Sequence, residues 1–130
     1  MLTVVNTTVT ALTANATIPI GNVKVRTNKD TILADGNIAI QRPGTFEVLG
    51  TFVFTATAAG DVTVQMQSDG AAVPGALATI TATEGQTITL ATQGTVQTRQ
   101  STPGAQVPIT WKVSAAGSLI SATASVKRVI

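Results

Sequence analysis

The sequence predicts an all-β domain, a sandwich or barrel of antiparallel strands, and three observations carry that prediction. Apolar and polar residues alternate at period 2 through long stretches and never recur at helical spacing. Turn dipeptides punctuate the chain at roughly 8–12-residue intervals. The dominant residues are Thr, Val, Ile, Ala and Gly, a set that suits pleated strands and disfavours helices. Counting the runs gives about eight to ten strands.

The opening stretch, MLTVVNTTVTALTANAT, contains Ala14-Asn15-Ala16, which imitates a leader-cleavage site. No basic residue precedes it, and Asn6 and several Thr interrupt the apolar run, so no leader is expected. The short runs ATIPI, VKVRT and NIAIQ follow, separated by turn signals at Gly21-Asn22, Asn28-Lys29-Asp30 and Asp35-Gly36-Asn37.

Pro43-Gly44 then opens the clearest segment, TFEVLGTFVFTAT, residues 45–57. Phe46, Val48, Gly50, Phe52, Phe54 and Ala56 share one face of it, so all three Phe of the chain aim at one core. In DVTVQMQ the inward residues are Val62, Val64 and Met66. The loop SDGAAVPGA, residues 68–76, carries Asp69-Gly70, which closes a hairpin, and Pro74-Gly75, which fits a second tight turn. Its small apolar residues argue for a hairpin tip rather than a ligand loop. ALATITAT and QTITLATQGTVQT come next, turned by Glu84-Gly85, and Gly94 in the second marks a bulge or a close backbone approach. VPITWKVSA places Val107, Ile109, Trp111 and Val113 on one face, so Trp111 is read as core rather than as a sugar-stacking ring. LISATASVKRVI sets Ile120, Ala122, Ala124 and Val126 against Ser121, Thr123, Ser125 and Lys127.

The chain of 130 residues reads as a single domain, 1–130. Charged residues are only 11% of it, against about 25% in an average domain, so Thr, Ser, Gln and Asn must cover its surface. Eight Lys and Arg are spread along the sequence, the net charge is +2 and there is no Tyr, which argues against nucleic acid as a partner. No apolar run approaches a membrane span. With no His and no Cys, the usual acid–base and nucleophilic triads are excluded. The carboxylates Asp30, Asp35, Asp61, Asp69, Glu47 and Glu84 fall mostly in or beside turns, where they cap and solvate. NKDTILADGN could bring Asp30, Asp35 and Asn37 near a calcium ion, but the spacing of an EF-hand loop is absent. No enzyme activity and no cofactor are expected.

Two features call for a partner. Leu49 and Val53 lie on the face opposite the three Phe, where an isolated strand would be polar; they are the candidate oligomer interface, with Val129 and Ile130 at the chain end as secondary members. Lys24 with Arg26, and Lys127-Arg128, read as charged strand edges that block aggregation, or as a contact with an acidic capsid or glycan surface.

Three segments in order, PGTFEVLGTFVFT, AGDVTVQMQSDGAAVPGA and SLISATASVKRVI, resemble the jelly-roll heads of the complement-globular-head and tumour-necrosis-factor superfamily, in small bacterial and phage versions. The matching positions are Pro43-Gly44-Thr45-Phe46-Glu47-Val48, then Asp69-Gly70 and Pro74-Gly75, then Ser118 to Ile130, within residues 36–130. The resemblance implies a two-sheet antiparallel jelly roll that assembles as a homotrimer. No collagen-like Gly-X-Y stalk precedes the head here, which shifts the expectation from a fibre tip to a small standalone virion protein. The function it implies is a non-enzymatic structural component of a bacteriophage virion, a capsid decoration or head-fibre protein whose partners are its own copies and the major capsid or another virion protein. The alternative is a carbohydrate- or receptor-binding adhesion module that takes a host-surface glycan.

Overall fold

The computed structural model describes residues 2–26, 31–34, 36–98 and 106–129, and among them it contains twelve strands and no helix. They are β1 (Leu2–Asn6), β2 (Thr10–Leu12), β3 (Ala16–Thr17), β4 (Asn22–Arg26), β5 (Thr31–Ala34), β6 (Asn37–Ile40), β7 (Gly44–Ala56), β8 (Gly60–Ser68), β9 (Ala71–Ala82), β10 (Thr87–Thr98), β11 (Val107–Val113) and β12 (Gly117–Arg128). A front sheet runs β10-β7-β12-β1-β4, with β2 also paired to β12. A back sheet runs β5-β6-β11-β8-β9, with β3 also paired to β11. Every pairing is antiparallel. The chain changes sheets after β2, β3, β4, β6, β7, β9, β10 and β11, so neighbours within each sheet come from distant parts of the sequence. This is the antiparallel sandwich that the alternation predicted, in the two-sheet jelly-roll form that the resemblance implied.

The count exceeds the expected eight to ten because short strands escape a period-2 reading. β1 and β2 form in the stretch weighed as a leader, and β5 forms inside the segment weighed as calcium-turn chemistry. ATIPI contributes only Ala16–Thr17 as strand. Ile18 and Ile20 beyond it are nonetheless buried, and the Ile18 N–H donates to the Trp111 carbonyl at 2.8 Å. Asn6 is buried as well, its amide donating to the Pro19 carbonyl at 3.0 Å while its side-chain oxygen accepts from the Thr8 N–H at 2.9 Å.

β7 is the spine of the front sheet. Twelve residue pairs join it to β10 and eleven join it to β12. Its inward residues Phe46, Val48, Phe52 and Phe54 are all buried, as the alternation required. In β12 the register shifts between Leu119 and Ser121. Leu119, Ala122, Ala124 and Val126 are therefore the buried residues, and Ile120, expected inward, is the displaced residue at the bulge and only half-buried.

The two sheets meet at Trp111. Its indole, fully buried, reaches from β11 to the centre of β7, where Gly50 leaves room for it. A Cβ on Gly50 would stand 2.8 Å from Trp111 Cε2, 2.9 Å from Trp111 Nε1 and 2.9 Å from Phe52 Cζ. The indole N–H donates to Thr92 Oγ1 at 2.9 Å, and that hydroxyl lies 3.4 Å from the Gly50 carbonyl oxygen. The Phe52 and Trp111 rings sit 5.6 Å apart at 59°, a tilted packing that adds to the apolar burial. Among the described residues no buried side-chain polar atom lacks a partner.

Two substitutions test this junction. Phe52→Ala opens a cavity beneath the indole and is expected to cost about 3–5 kcal/mol in chemical denaturation. Thr92→Val keeps the shape but strands the indole N–H, at about 1–3 kcal/mol. A parent-like midpoint for either variant would show that the junction does not carry the fold.

Candidate functional site

The hairpin tip is settled by backbone geometry. Asp69 and Gly70 both have positive φ, 51° and 81°, the pair of left-handed residues that a two-residue type I′ turn requires. β9 begins immediately after them at Ala71, five residues earlier than its apolar pattern indicated. Pro74-Gly75 is accordingly not a second turn but an outward bulge within β9. Gln65 pairs with Leu77 while Gln67 pairs with Ala72, so the four residues Val73–Ala76 face only Met66 across the ladder. The Gln65 side-chain amide pins this bulge, donating to the carbonyls of Met66, Val73 and Ala76 at 2.8, 3.1 and 3.3 Å. The bulge turns Val73 and Ala76 inward, where both are buried. They press against Gly94 of β10, whose added Cβ would lie 2.9 Å from the Ala76 Cβ. Gly94 pairs in unbroken register with Val48, so it marks a close approach and not a bulge. The whole loop is consumed by structure.

The outward face of the front sheet is different. Its middle rows, read across β10, β7, β12, β1 and β4, are Thr89–Val53–Ser121, Ala91–Thr51–Thr123–Val5–Asn22 and Gln93–Leu49–Ser125–Thr3–Val25. None of these residues is charged. Leu49 is 39% exposed and Val25 41%, while Val53 and Val5 are half-buried. The row Thr95–Glu47–Lys127 borders this neutral field on one side, and Thr87–Thr55–Ser118 on the other, its two Thr hydroxyls 2.8 Å apart. Val129, 46% exposed, extends β12 beyond Lys127 and its N–H donates to the Thr45 carbonyl at 2.9 Å. Three of the four expected interface residues therefore fall along β7 or beside it, and Ile130 lies outside the described residues. Val5 and Val25 belong to the same field and went unread. The signal was present in the alternation of LTVVN, where Leu2 and Val4 face in and Thr3 and Val5 face out.

The remaining candidates resolve as structure. Trp111 is core. Lys24 and Arg26 lie on β4, the edge strand of the front sheet, all five of whose residues are exposed. Lys24 has no register partner where the β1–β4 pairing shifts, so a charge sits on a bulged edge, two devices that discourage further strand pairing. The calcium candidates Asp30 and Asp35 lie outside the described residues. Of the described carboxylates, Asp61 accepts a 2.6 Å bond from the Thr81 hydroxyl, and Glu47 stands across from Lys127.

No family model matches the chain, and no curated protein matches it. Solved structures do. The globular domain of a zebrafish complement 1qA protein is similar with a TM-score of 0.76 at 8% identity, over 99% of this chain and 96% of that one. An Eiger TNF from S. frugiperda has a TM-score of 0.75 at 8% identity, over 99% and 92%. Murine APRIL has a TM-score of 0.67 at 10% identity, over 94% and 95%. At such identities the likeness establishes the fold, a jelly roll of the complement-head and tumour-necrosis-factor type.

The Gln65 staple yields its own test. Gln65→Ala removes the donor shared by three carbonyls and is expected to cost about 1–3 kcal/mol. Faster amide exchange should appear at residues 72–77 and not in β7. Uniform loss of protection across the chain would show that the staple is not local.

Proposed function

We propose that this chain is a non-enzymatic binding module that assembles as a homotrimer through the outward face of its front sheet, and that it serves as a decoration or head-fibre component of a bacteriophage virion. One observation carries the assembly reading: three successive rows of that face hold no charge while exposing Leu49 and Val25 beside Val53 and Val5. A lone domain loses little by placing a Lys or Glu there, and keeping the field neutral favours covering it with a second copy. Thr, Ser and Ala on β10 and β12 keep the field low, so two such sheets can approach closely.

The virion role draws on the segments quoted above that resemble small phage jelly-roll heads, and on a surface with few charges. A closed threefold ring would present three identical binding faces to a particle at once, which raises avidity without any new contact. The partners would be its own copies and the major capsid protein or another virion protein.

Light scattering tests the assembly. The parent should run as a trimer at micromolar concentration. Leu49→Asp combined with Val53→Asp should dissociate it, because each charge would be forced into an apolar contact without a partner. A parent of 13.2 kDa in solution would remove the trimer. A double variant that stays trimeric would place the interface elsewhere. Mass spectrometry of purified phage particles tests the virion role directly.

A further inference from the structure

The outward face of the front sheet is uneven, and its relief and its charges follow the same two strands. Along β7 the outward residues are Glu47, Leu49, Thr51 and Val53, and across from them on β12 stand Lys127, Ser125, Thr123 and Ser121. A large apolar side chain on β7 thus neighbours a serine on β12 at Leu49 and again at Val53, so β7 forms a ridge and β12 a low strip. Lys127 bounds the strip at one end, and the bulge at Ile120 bounds it at the other. Beyond it the surface rises again at Val5 on β1 and Val25 on β4. On the other side of the ridge, β10 presents Thr95, Gln93, Ala91 and Thr89, with no cation among them and the long Gln93 beside Leu49.

A closed threefold ring joins unlike surfaces, so the ridge of one copy has to meet something other than the ridge of the next. Ridge on ridge would bring Leu49 onto Leu49 and Glu47 onto Glu47. Ridge on strip sets Leu49 over Ser125, Thr51 over Thr123, Val53 over Ser121 and Glu47 over Lys127, large against small and acid against base. The charges also select a direction. A threefold axis along the strands keeps every row at one height, so the charged border meets the charged border. An axis across the strands would carry the Glu47–Lys127 row onto the opposite border, Thr87–Thr55–Ser118, where no charge answers it.

We propose that copies of this chain pack with their strands parallel to the assembly axis, the β7 ridge of each seated on the β12 strip of the next, so that Glu47 of one copy meets Lys127 of its neighbour. The partner is a second copy of the chain. The inference rests on the trimer proposed above and adds to it the contact pair and the direction of assembly. The Glu47–Lys127 pairs lie at the rim, in water, where they contribute little affinity and chiefly set orientation. Leu49 and Val53 supply the burial, and the serines of β12 let them approach closely.

The chain has no cysteine, so single cysteines report the contact without background. Leu49→Cys and Ser125→Cys chains, one of them carrying a mass tag, are co-expressed, mildly oxidised and separated without reductant. The mixed disulfide should form at least about tenfold faster than either like-with-like disulfide, because assembly holds the unlike thiols at a raised effective concentration. Thr51→Cys with Thr123→Cys, at two exposed positions, should behave the same way and serves if the loss of Leu49 weakens assembly. Leu49→Cys with Ser121→Cys should join slowly. Faster joining of that pair than of Leu49→Cys with Ser125→Cys would mean opposed strands and overturn the proposal. A like-with-like disulfide of Leu49→Cys that outpaces the mixed one would mean ridge on ridge, and overturns it too. Light scattering on the parent separates this contact from the reading it rests on. A monomer removes the trimer and the contact with it, whereas a trimer that forms no mixed disulfide removes the contact alone.

Discussion

One indole fixes this molecule. Trp111 crosses from the back sheet onto the middle of β7, and it fits only because residue 50 has no side chain. Burying so large a ring supplies much of the contact between the sheets, but its N–H brings a polar atom into the driest part of the core. Thr92 meets that atom from β10, directly across from Gly50. Three strands, β7, β10 and β11, are thereby tied at one point, and the tie has a defined height along each strand. With only four aromatic residues in the chain, no second ring outside the Phe group could do the same elsewhere.

Fixing β7 in this way also fixes its outward face. Side chains alternate strictly, so a slip of one residue would send Leu49 and Val53 into the core and expose Phe52. The tie at Gly50 forbids that slip, and twelve pairs to β10 and eleven to β12 carry the register outward. The neutral field is in this sense a by-product of the core. Its flanking residues are mostly Thr, whose branched side chains stiffen the strand and whose hydroxyls satisfy one another locally, as Thr55 and Thr87 do.

Much of this was legible in the sequence, and what was not has physical causes. The five long strands β7 to β10 and β12, together with β11, announced themselves through sustained alternation, and the burial of Phe46, Phe52, Phe54 and Trp111 followed from it. β2, β3 and β5 have two to four residues each, too few for a period to show. Pro74-Gly75 carries the chemistry of a turn, and a bulge uses the same chemistry; only the Gln65 amide, reaching across from the neighbouring strand, decides between them. Ile120 was misassigned for a related reason, since a bulge resets parity and leaves no mark in composition. The neutral field was the hardest to read. Its rows draw on β1, β4, β7, β10 and β12, and no single run shows them together, because a jelly roll interleaves early and late strands in one sheet.

The neutral field and the charges at its border obey different physics, and that difference bears on how they coexist. An apolar, hydroxyl-lined field gains from burial and is largely indifferent to salt. Exposed charges act over about a Debye length, near 8 Å at physiological ionic strength, and their effect weakens as salt rises. Charges placed inside the field would have to be desolvated on assembly, which costs several kcal/mol per ion. Keeping them at its border, where Lys127 stands opposite Glu47, avoids that cost. If copies join through the field, Glu47 and Lys127 stay at its border, where they remain hydrated. The apolar field and the charges are separated along the strands, and the antiparallel pairing is what separates them.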